Sequence, residues 1–345
     1  YFSPRWKGML GYSADEIAHD FSEWERRIHP DDRQRSLATI NAYLEGQTQH
    51  YELEHRLQHR DGTYRWILAR GAVVCNEAGK PYRMAGSHLD ITYRKTMEEK
   101  LRVQLAQLIA AEEMQSHLLP EESPEIPGFG IAGKCYPAEF AAGDHFDFLE
   151  LKDGTFVAVV GDVSGHGVGP AILMACLHAY LRSLADVYSD LSELVMQANN
   201  LIEEESPDNH FVTLLAGMFD TATRTLTYVC CGHPPGFIMN AEGEVTAWLK
   251  EGGLPLGILS NSQFPCSAPL QLHSGDVVVM LTDGVLEAFS PDGVQFGKDR
   301  TVQFVREHRD QPAAQIIEAL RDAVDEYTER TELEDDLTFI VVKVQ

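Results

Sequence analysis

Aspartates standing where apolar runs begin or end are the chemistry-bearing feature of this sequence. Asp162 closes the run 156–160 through Gly161, at the head of Gly161-Asp162-Val163-Ser164-Gly165-His166-Gly167. Asp283 lies in Thr282-Asp283-Gly284, directly after the run 276–281. Asp335 and Asp336 open the run 337–344, and Asp144 lies in Ala142-Gly143-Asp144-His145-Phe146-Asp147, ahead of 148–151. A carboxylate at the end of a core strand is held rigidly and can project into a cleft. Carboxylates from several segments facing one point would repel and take up protons unless cations lay between them. Oxygen-only ligands favour the hard cations Mg2+ and Mn2+ over zinc. The glycines of 165–169 admit a second reading, a phosphate cradle of the dinucleotide type. The third glycine of that fingerprint would fall at Pro170, and no acidic residue ends a second short strand.

The elements that must hold these aspartates can be read around them. Runs 131–136, 146–151 and 156–163 predict the first strands of a domain beginning near Gly130. Runs 170–187 and 191–205 predict two helices, with Pro170 at the first helical position, where its missing N–H costs nothing. The first helix is apolar nearly all round, which predicts a central, buried helix. Segments 212–220 and 225–231 predict a hairpin, and 236–240 with 244–249 another, around Ala241-Glu242-Gly243. After a strand at 277–281 come helices near 298–306 and 313–329, then the closing strand. Strands, a helix pair, more strands, then helices predict two stacked sheets flanked by helices.

Taken in order, GDVSGHG, TDG, the terminal DDLT and the upstream GD-x-x-D resemble the metal-dependent PPM (type 2C) serine/threonine phosphatases, specifically the bacterial RsbU and SpoIIE group. The resemblance extends over 112–345. It includes Met114-Gln115-Ser116-His117-Leu118-Leu119-Pro120, Cys231-Gly232-His233-Pro234-Pro235 and Gly253-Leu254-Pro255-Leu256-Gly257. It implies an α-β-β-α sandwich with a metal cleft at one end. It also implies two Mg2+ or Mn2+ ions, about 3.5–4 Å apart, that neutralise phosphate charge and lower the pKa of a bridging water. Asp162 then matches the aspartate touching both ions, and the Val163 carbonyl and Asp144 bind one of them. Asp283 and Asp335 match the ligands of the other, with Asp336 the less favoured alternative to Asp335, and Asp147 lies behind the ligands or near them. His166 and His233 either touch phosphate or metal-bound water, or simply order their loops. Ala142 stands where the group usually has glycine, and His145 where it has an aromatic residue; His145 is expected to be exposed. The implied substrate is a phosphorylated STAS-type anti-sigma-factor antagonist. Two other functions stay open: an inactive scaffold binding the same partner, and a metal-dependent hydrolase of small phosphate esters or nucleotides.

Ahead of this lies a different pattern. A helical stretch follows Phe2-Ser3-Pro4-Arg5-Trp6, and Asp31 or Asp32 is placed to cap a helix over 33–45. Runs 51–58, 64–74 and 82–90 predict a strand meander, with turns at Asp61-Gly62 and Glu77-Ala78-Gly79. The phrases FSPRWKGMLGY, IHPDD, RDGTYRWI and GSHLDIT resemble a PAS sensor domain, whose ligand here is unknown. His19, His29, His55, His59 and His88 carry no metal or haem spacing and read as surface or core residues. Between the domains, Met97, Leu101, Leu105 and Leu108 form a helical stripe that suits a parallel coiled coil over about three heptads, ended by Pro120. The predicted chain is thus α+β, with a PAS domain at 1–92, a coiled-coil linker at 93–120 and a phosphatase domain at 121–345. A homodimer through the PAS domain and linker is expected.

Composition sets the outer limits. At 345 residues and 44% hydrophobic content, the chain is long and apolar enough for two cores. A net charge of −25 disfavours nonspecific binding to nucleic acid or an anionic membrane. The six cysteines contain no CxxC pair and read as reduced thiols, mostly in the core, which fits a cytoplasmic protein. No run is expected to reach the length of a membrane helix. The start at Tyr1 without methionine predicts a fragment whose PAS domain lacks its first strands.

Overall fold

The computed structural model describes residues 1–77, 81–138, 142–165, 167–206, 210–250, 252–329 and 333–345. The chain divides into two compact units, Tyr1–Ala106 and Gln107–Gln345.

In the first unit, helices α1 (Pro4–Met9), α2 (Phe21–Glu25) and α3 (Pro30–Leu44) precede strands β1 (Tyr51–Gln58), β2 (Tyr64–Cys75) and β3 (Pro81–Asp90). The strands form one antiparallel sheet in the order β1-β2-β3. Alternate β1 residues Tyr51, Leu53, His55 and Leu57 turn inward and meet Trp6, Leu10, Trp24 and Ile28 in the core. The helix expected over 33–45 begins earlier, at Pro30, and its cap is His29, whose Nδ1 accepts the Asp31 N–H. Asp32 is therefore not a cap. It is buried and accepts both the guanidinium and the backbone N–H of Arg56 on β1. His55 and His88 accept hydrogen bonds from the indoles of Trp24 and Trp6, so both serve the core. Of the turn expected at 77–79, Ala78 and Gly79 lie outside the described residues.

Helix α4 (Thr92–Ser116) follows, ending four residues before Pro120. Met97, Leu101 and Leu105 of its apolar stripe are exposed.

The second unit runs β4 (Phe129–Tyr136), β5 (Asp144–Glu150), β6 (Phe156–Val163), α5 (Val168–Ala185), α6 (Leu191–Glu205), β7 (Val212–Asp220), β8 (Thr225–Cys231), β9 (Gly236–Met239), β10 (Val245–Leu249) and β11 (Gly252–Gly253). It continues through β12 (Leu270–Gln271), β13 (Val277–Leu281), α7 (Asp283–Glu287), α8 (Gly297–His308), α9 (Ala313–Thr328) and β14 (Leu337–Val344). One sheet has the order β10-β9-β13-β14-β4; the other has β11-β8-β7-β6-β5, with β12 beside β8. Period-two alternation divides each strand's apolar residues between two layers. Ala158, Val160, Leu215, Val278, Met280, Ile340 and Val342 fill the space between the sheets. Val157, Val159 and Leu214 pack on α5 and α6, whereas Val277, Val279, Phe339 and Val341 pack on α8 and α9. The layers are thus α-β-β-α, as the sequence predicts.

Four expectations need correction. Helix α5 starts at Val168 rather than Pro170, which still falls in the first turn, where no hydrogen bond is lost. Nor is α5 buried all round: Leu173, Met174, Leu177 and Leu181 enter the core while Val168 and Ile172 are exposed. It is also apolar and long enough, by length and composition alone, to cross a membrane, although a core helix passes the same test. Of the six free thiols, only Cys230 and Cys231 are fully buried, and Cys75 is exposed.

Candidate metal centre

Strand parity decides where the aspartates point. On β6, Phe156, Ala158 and Val160 face the inter-sheet layer, so Asp162, next in that series, faces it too. On β5, Asp144 shares this face with Phe146. The two strands pair with Asp144 opposite Asp162, which brings the carboxylates of neighbouring strands to one end of the sheet. From the other sheet, β13 leads into Thr282, the N-cap of α7, and Asp283 is the first residue of that helix. Asp335 and Asp336 directly precede β14, which pairs with β13.

Glycine is required where these segments touch. A β-carbon on Gly284 would lie 2.2 Å from the Asp336 carbonyl oxygen and 3.3 Å from the Asp335 β-carbon. A β-carbon on Gly143 would lie 3.1 Å from the Val163 carbonyl oxygen and 3.6 Å from an Asp162 carboxylate oxygen. The TDG and GD motifs thus let two loops close on the carboxylates.

Electrostatics record the crowding. Burial, then the negative charges of Asp283, Asp335 and Asp336, pushes the Asp162 carboxyl up to about 7. Burial, then Asp162 and Asp336, pushes Asp144 well above the usual carboxylate range. Burial and Asp335 raise Asp283. Each shift says that ionisation is resisted, and a cation among these groups would reverse it. The donor set is oxygen-only, so the residues fit Mg2+ or Mn2+.

The two terminal aspartates are engaged differently. Asp336 is buried and accepts N–H groups from Ala138 at 2.8 Å, Gly143 at 2.8 Å and Asp144 at 3.3 Å, pinning the chain on either side of the loop before β5. Asp335 accepts the N–H of Asp336 at 2.9 Å and adds its charge to Asp162 and Asp283.

Three further residues serve the site without having been assigned a role from sequence. Thr282 donates its hydroxyl to Asp144 Oδ2 at 2.7 Å. Gln115, near the end of α4, donates to the Ala142 carbonyl at 2.7 Å and accepts the Ala142 N–H at 2.9 Å. His210 Nδ1 donates to the Ser164 carbonyl at 2.9 Å, in the turn after β6. The only signal for Gln115 was its place in the Met114–Pro120 phrase; Thr282 could have been found from its parity with Met280.

The candidate histidines divide. His233 is buried between the sheets. Its Nε2 donates to the Leu281 carbonyl at 3.1 Å, and its Nδ1 accepts from the Thr213 hydroxyl at 2.8 Å. Burial lowers its pKa to about 4, so it orders its loop as a neutral strut. His166 lies outside the described residues. His145 is fully buried rather than exposed: it is the second residue of β5, on the face opposite Asp144, and faces α5. Asp147, on that same face, is held by Arg182 of α5 at 2.7 and 2.9 Å, so the structure does not bring it into the carboxylate cluster.

Comparison with known proteins agrees with this architecture. Residues 152–345, more than half of the chain, match the family described as stage II sporulation protein E (SpoIIE), and residues 1–88 match the PAS fold. The chain is 28% identical over 272 residues to protein IcfG of Synechocystis, covering 71% of this chain and 42% of that protein. It is 25% identical over 233 residues to the phosphoserine phosphatase RsbU of Bacillus subtilis, covering 68% of each. The chain thus spans well under half of the first relative and about two thirds of the second. The SiaA-PP2C domain of Pseudomonas aeruginosa superposes with a TM-score of 0.63 at 21% identity, covering 72% of this chain and 99% of that domain, which shows a shared fold.

Proposed function

The chain belongs to the SpoIIE family and carries a PAS fold at its N-terminal end, and from that premise we propose that it is a metal-dependent phosphatase of phosphoserine or phosphothreonine proteins. One observation carries the reading. Aspartates from four segments converge at one end of the sandwich, with the carboxyls of Asp144, Asp162 and Asp283 raised by burial and by one another's charge. With its carboxylates ionised, such a cluster is favourable only with cations in it.

Asp144, Asp162, Asp283 and Asp335, with the Val163 carbonyl, are the groups we assign to two Mg2+ or Mn2+ ions. The bonds that Asp336 makes to the loop before β5 favour Asp335 over it as ligand. Such ions would neutralise phosphate charge and make an attacking water acidic enough to lose its proton at neutral pH. The chain's own residues orient the site. The Thr282 hydroxyl fixes one oxygen of Asp144, Asp336 and Gln115 set the loop that leads into it, and His233 ties one sheet to the other beside it.

The finer assignments rest on the family resemblance. The substrate is a phosphorylated STAS-type anti-sigma-factor antagonist, met in the cytoplasm, and dephosphorylation frees it to capture an anti-sigma kinase. The PAS domain regulates the activity. The exposed stripe of α4 supports a homodimer paired along a linker coiled coil. The boundaries 1–92, 93–120 and 121–345 belong to this same proposal. The test is phosphate release from a phosphoserine peptide and from a nucleoside triphosphate, side by side with Mn2+. The proposal predicts preference for the peptide, whereas preference for the nucleotide would move the chain to the small-ester hydrolases.

A further inference from the structure

A second ligand set lies on the other face of β5. Strand parity turns Asp144 toward the inter-sheet layer and turns His145 and Asp147 toward α5. There they meet His178, one helical turn before Arg182. The His145 and His178 rings are 5.4 Å apart, edge to face at 83°. His178 Nδ1 is 3.4 Å from Asp147 Oδ2. One ligand atom from each of His145, Asp147 and His178 lies within 4.8 Å of the other two.

The Asp147–Arg182 ion pair, with His178 beside it, accounts for three of these four residues. It does not account for His145, which is fully buried, with neither ring nitrogen hydrogen-bonded among the described residues. Among the described residues His178 Nδ1 likewise has no hydrogen-bond partner. Buried imidazole nitrogens without partners are costly, and each offers a lone pair or an N–H to whatever fills the space between them.

The geometry points to a transition-metal site of the zinc class formed by His145, His178 and Asp147, separate from the inter-sheet carboxylate cluster. Two imidazoles and one carboxylate suit Zn2+ or Co2+, whereas an all-oxygen set suits Mg2+ or Mn2+. Zinc stands about 2.0–2.2 Å from such ligands, so the three groups need to close by only about an ångström. The Asp147 carboxylate keeps acceptor capacity beyond the Arg182 bonds and the Phe148 N–H it already takes. The Arg182 side chain is 51% exposed and can swing aside to admit an ion. A bound ion would fasten α5 to β5, the strand that carries Asp144 at its first position.

The experiment measures zinc retained by the full chain after equilibrium dialysis with excess Mg2+, which occupies the oxygen-only cluster. Thermal melting with and without Zn2+ is the second readout. The wild type and Asp162→Asn are expected to retain one equivalent of zinc and to melt higher with it. His178→Gln and His145→Gln are expected to lose both effects. The His178 side chain, 12% exposed where His145 is fully buried, keeps the test usable even where the His145 variant fails to fold. Co2+ in place of zinc should give the visible absorption of a nitrogen-ligated ion in the wild type and not in His178→Gln. Zinc lost in Asp162→Asn but kept in His178→Gln would place the ion in the carboxylate cluster and overturn the inference. Absence of retained zinc in the wild type would overturn it as well.

Discussion

Asp335 and Asp336 are adjacent and chemically identical, yet their surroundings assign them different work. Asp336 satisfies three backbone N–H groups around the loop before β5, so its removal strands buried donors. Asp336→Ala is expected to lower stability by about 2–4 kcal/mol in urea denaturation. Asp335→Ala should leave the ion-free midpoint unchanged or raise it, because it relieves repulsion; equal losses in both variants would refute the division. Asp162 supplies a pH signature. With ions chelated, its carboxyl titrates near 7 in the folded chain against about 4 when unfolded. Below about 4 both states hold the proton, and between about 4 and 7 only the folded state does, so stability falls as pH rises through that window. Asp162→Asn should flatten this slope in melting curves recorded with chelator, and an unchanged slope would show that the crowding is not felt there. The aspartates were legible because an acidic residue ending an apolar run is a strong pattern. Which of the adjacent pair points where was not, since that depends on contacts almost two hundred residues away in sequence. His145 was misread for a related reason: burial on α5 is visible only once the parity of β5 is fixed.

Among the elements, the longer strands were read to within a few residues because their apolar runs are short, β-branched and bounded by turns, whereas the two-residue strands β11 and β12 carry no such run. Helix starts were less legible. His29 caps α3 through an imidazole nitrogen, outside the usual cap chemistry, and leaves Asp32 to pair with Arg56. The apolar surface of α5 suggested burial on all sides, but a helix covering one face of a sheet needs only one stripe. The joint between α7 and the segment before β14 is the most demanding contact at this scale. Gly284→Ala would set a β-carbon 2.2 Å from the Asp336 carbonyl oxygen, forcing apart the segments that carry Asp283 and Asp335. It is expected to cost about 1–3 kcal/mol and to weaken Mn2+ binding together with stability. A wild-type midpoint and wild-type Mn2+ affinity would mean that the joint yields without moving the carboxylates.

The chain as a whole joins a PAS fold, a long helix with an uncovered apolar stripe, and an α-β-β-α sandwich whose carboxylates gather at one end. The order of elements along the chain made this architecture legible, because strands, a helix pair, further strands and terminal helices admit few layered arrangements. The inter-sheet gap itself was not legible, since it depends on two sheets choosing faces together. The central claim is that the gathered aspartates are a metal-dependent hydrolytic centre. Its most direct test is phosphate release from an aryl phosphate by the full chain as Mn2+ is titrated in, beside Asp162→Ala. The account predicts activity that rises with Mn2+, vanishes with chelator and falls at least a hundredfold, about 3 kcal/mol of barrier, in the variant. Metal-independent release, or equal release by the variant, would contradict it.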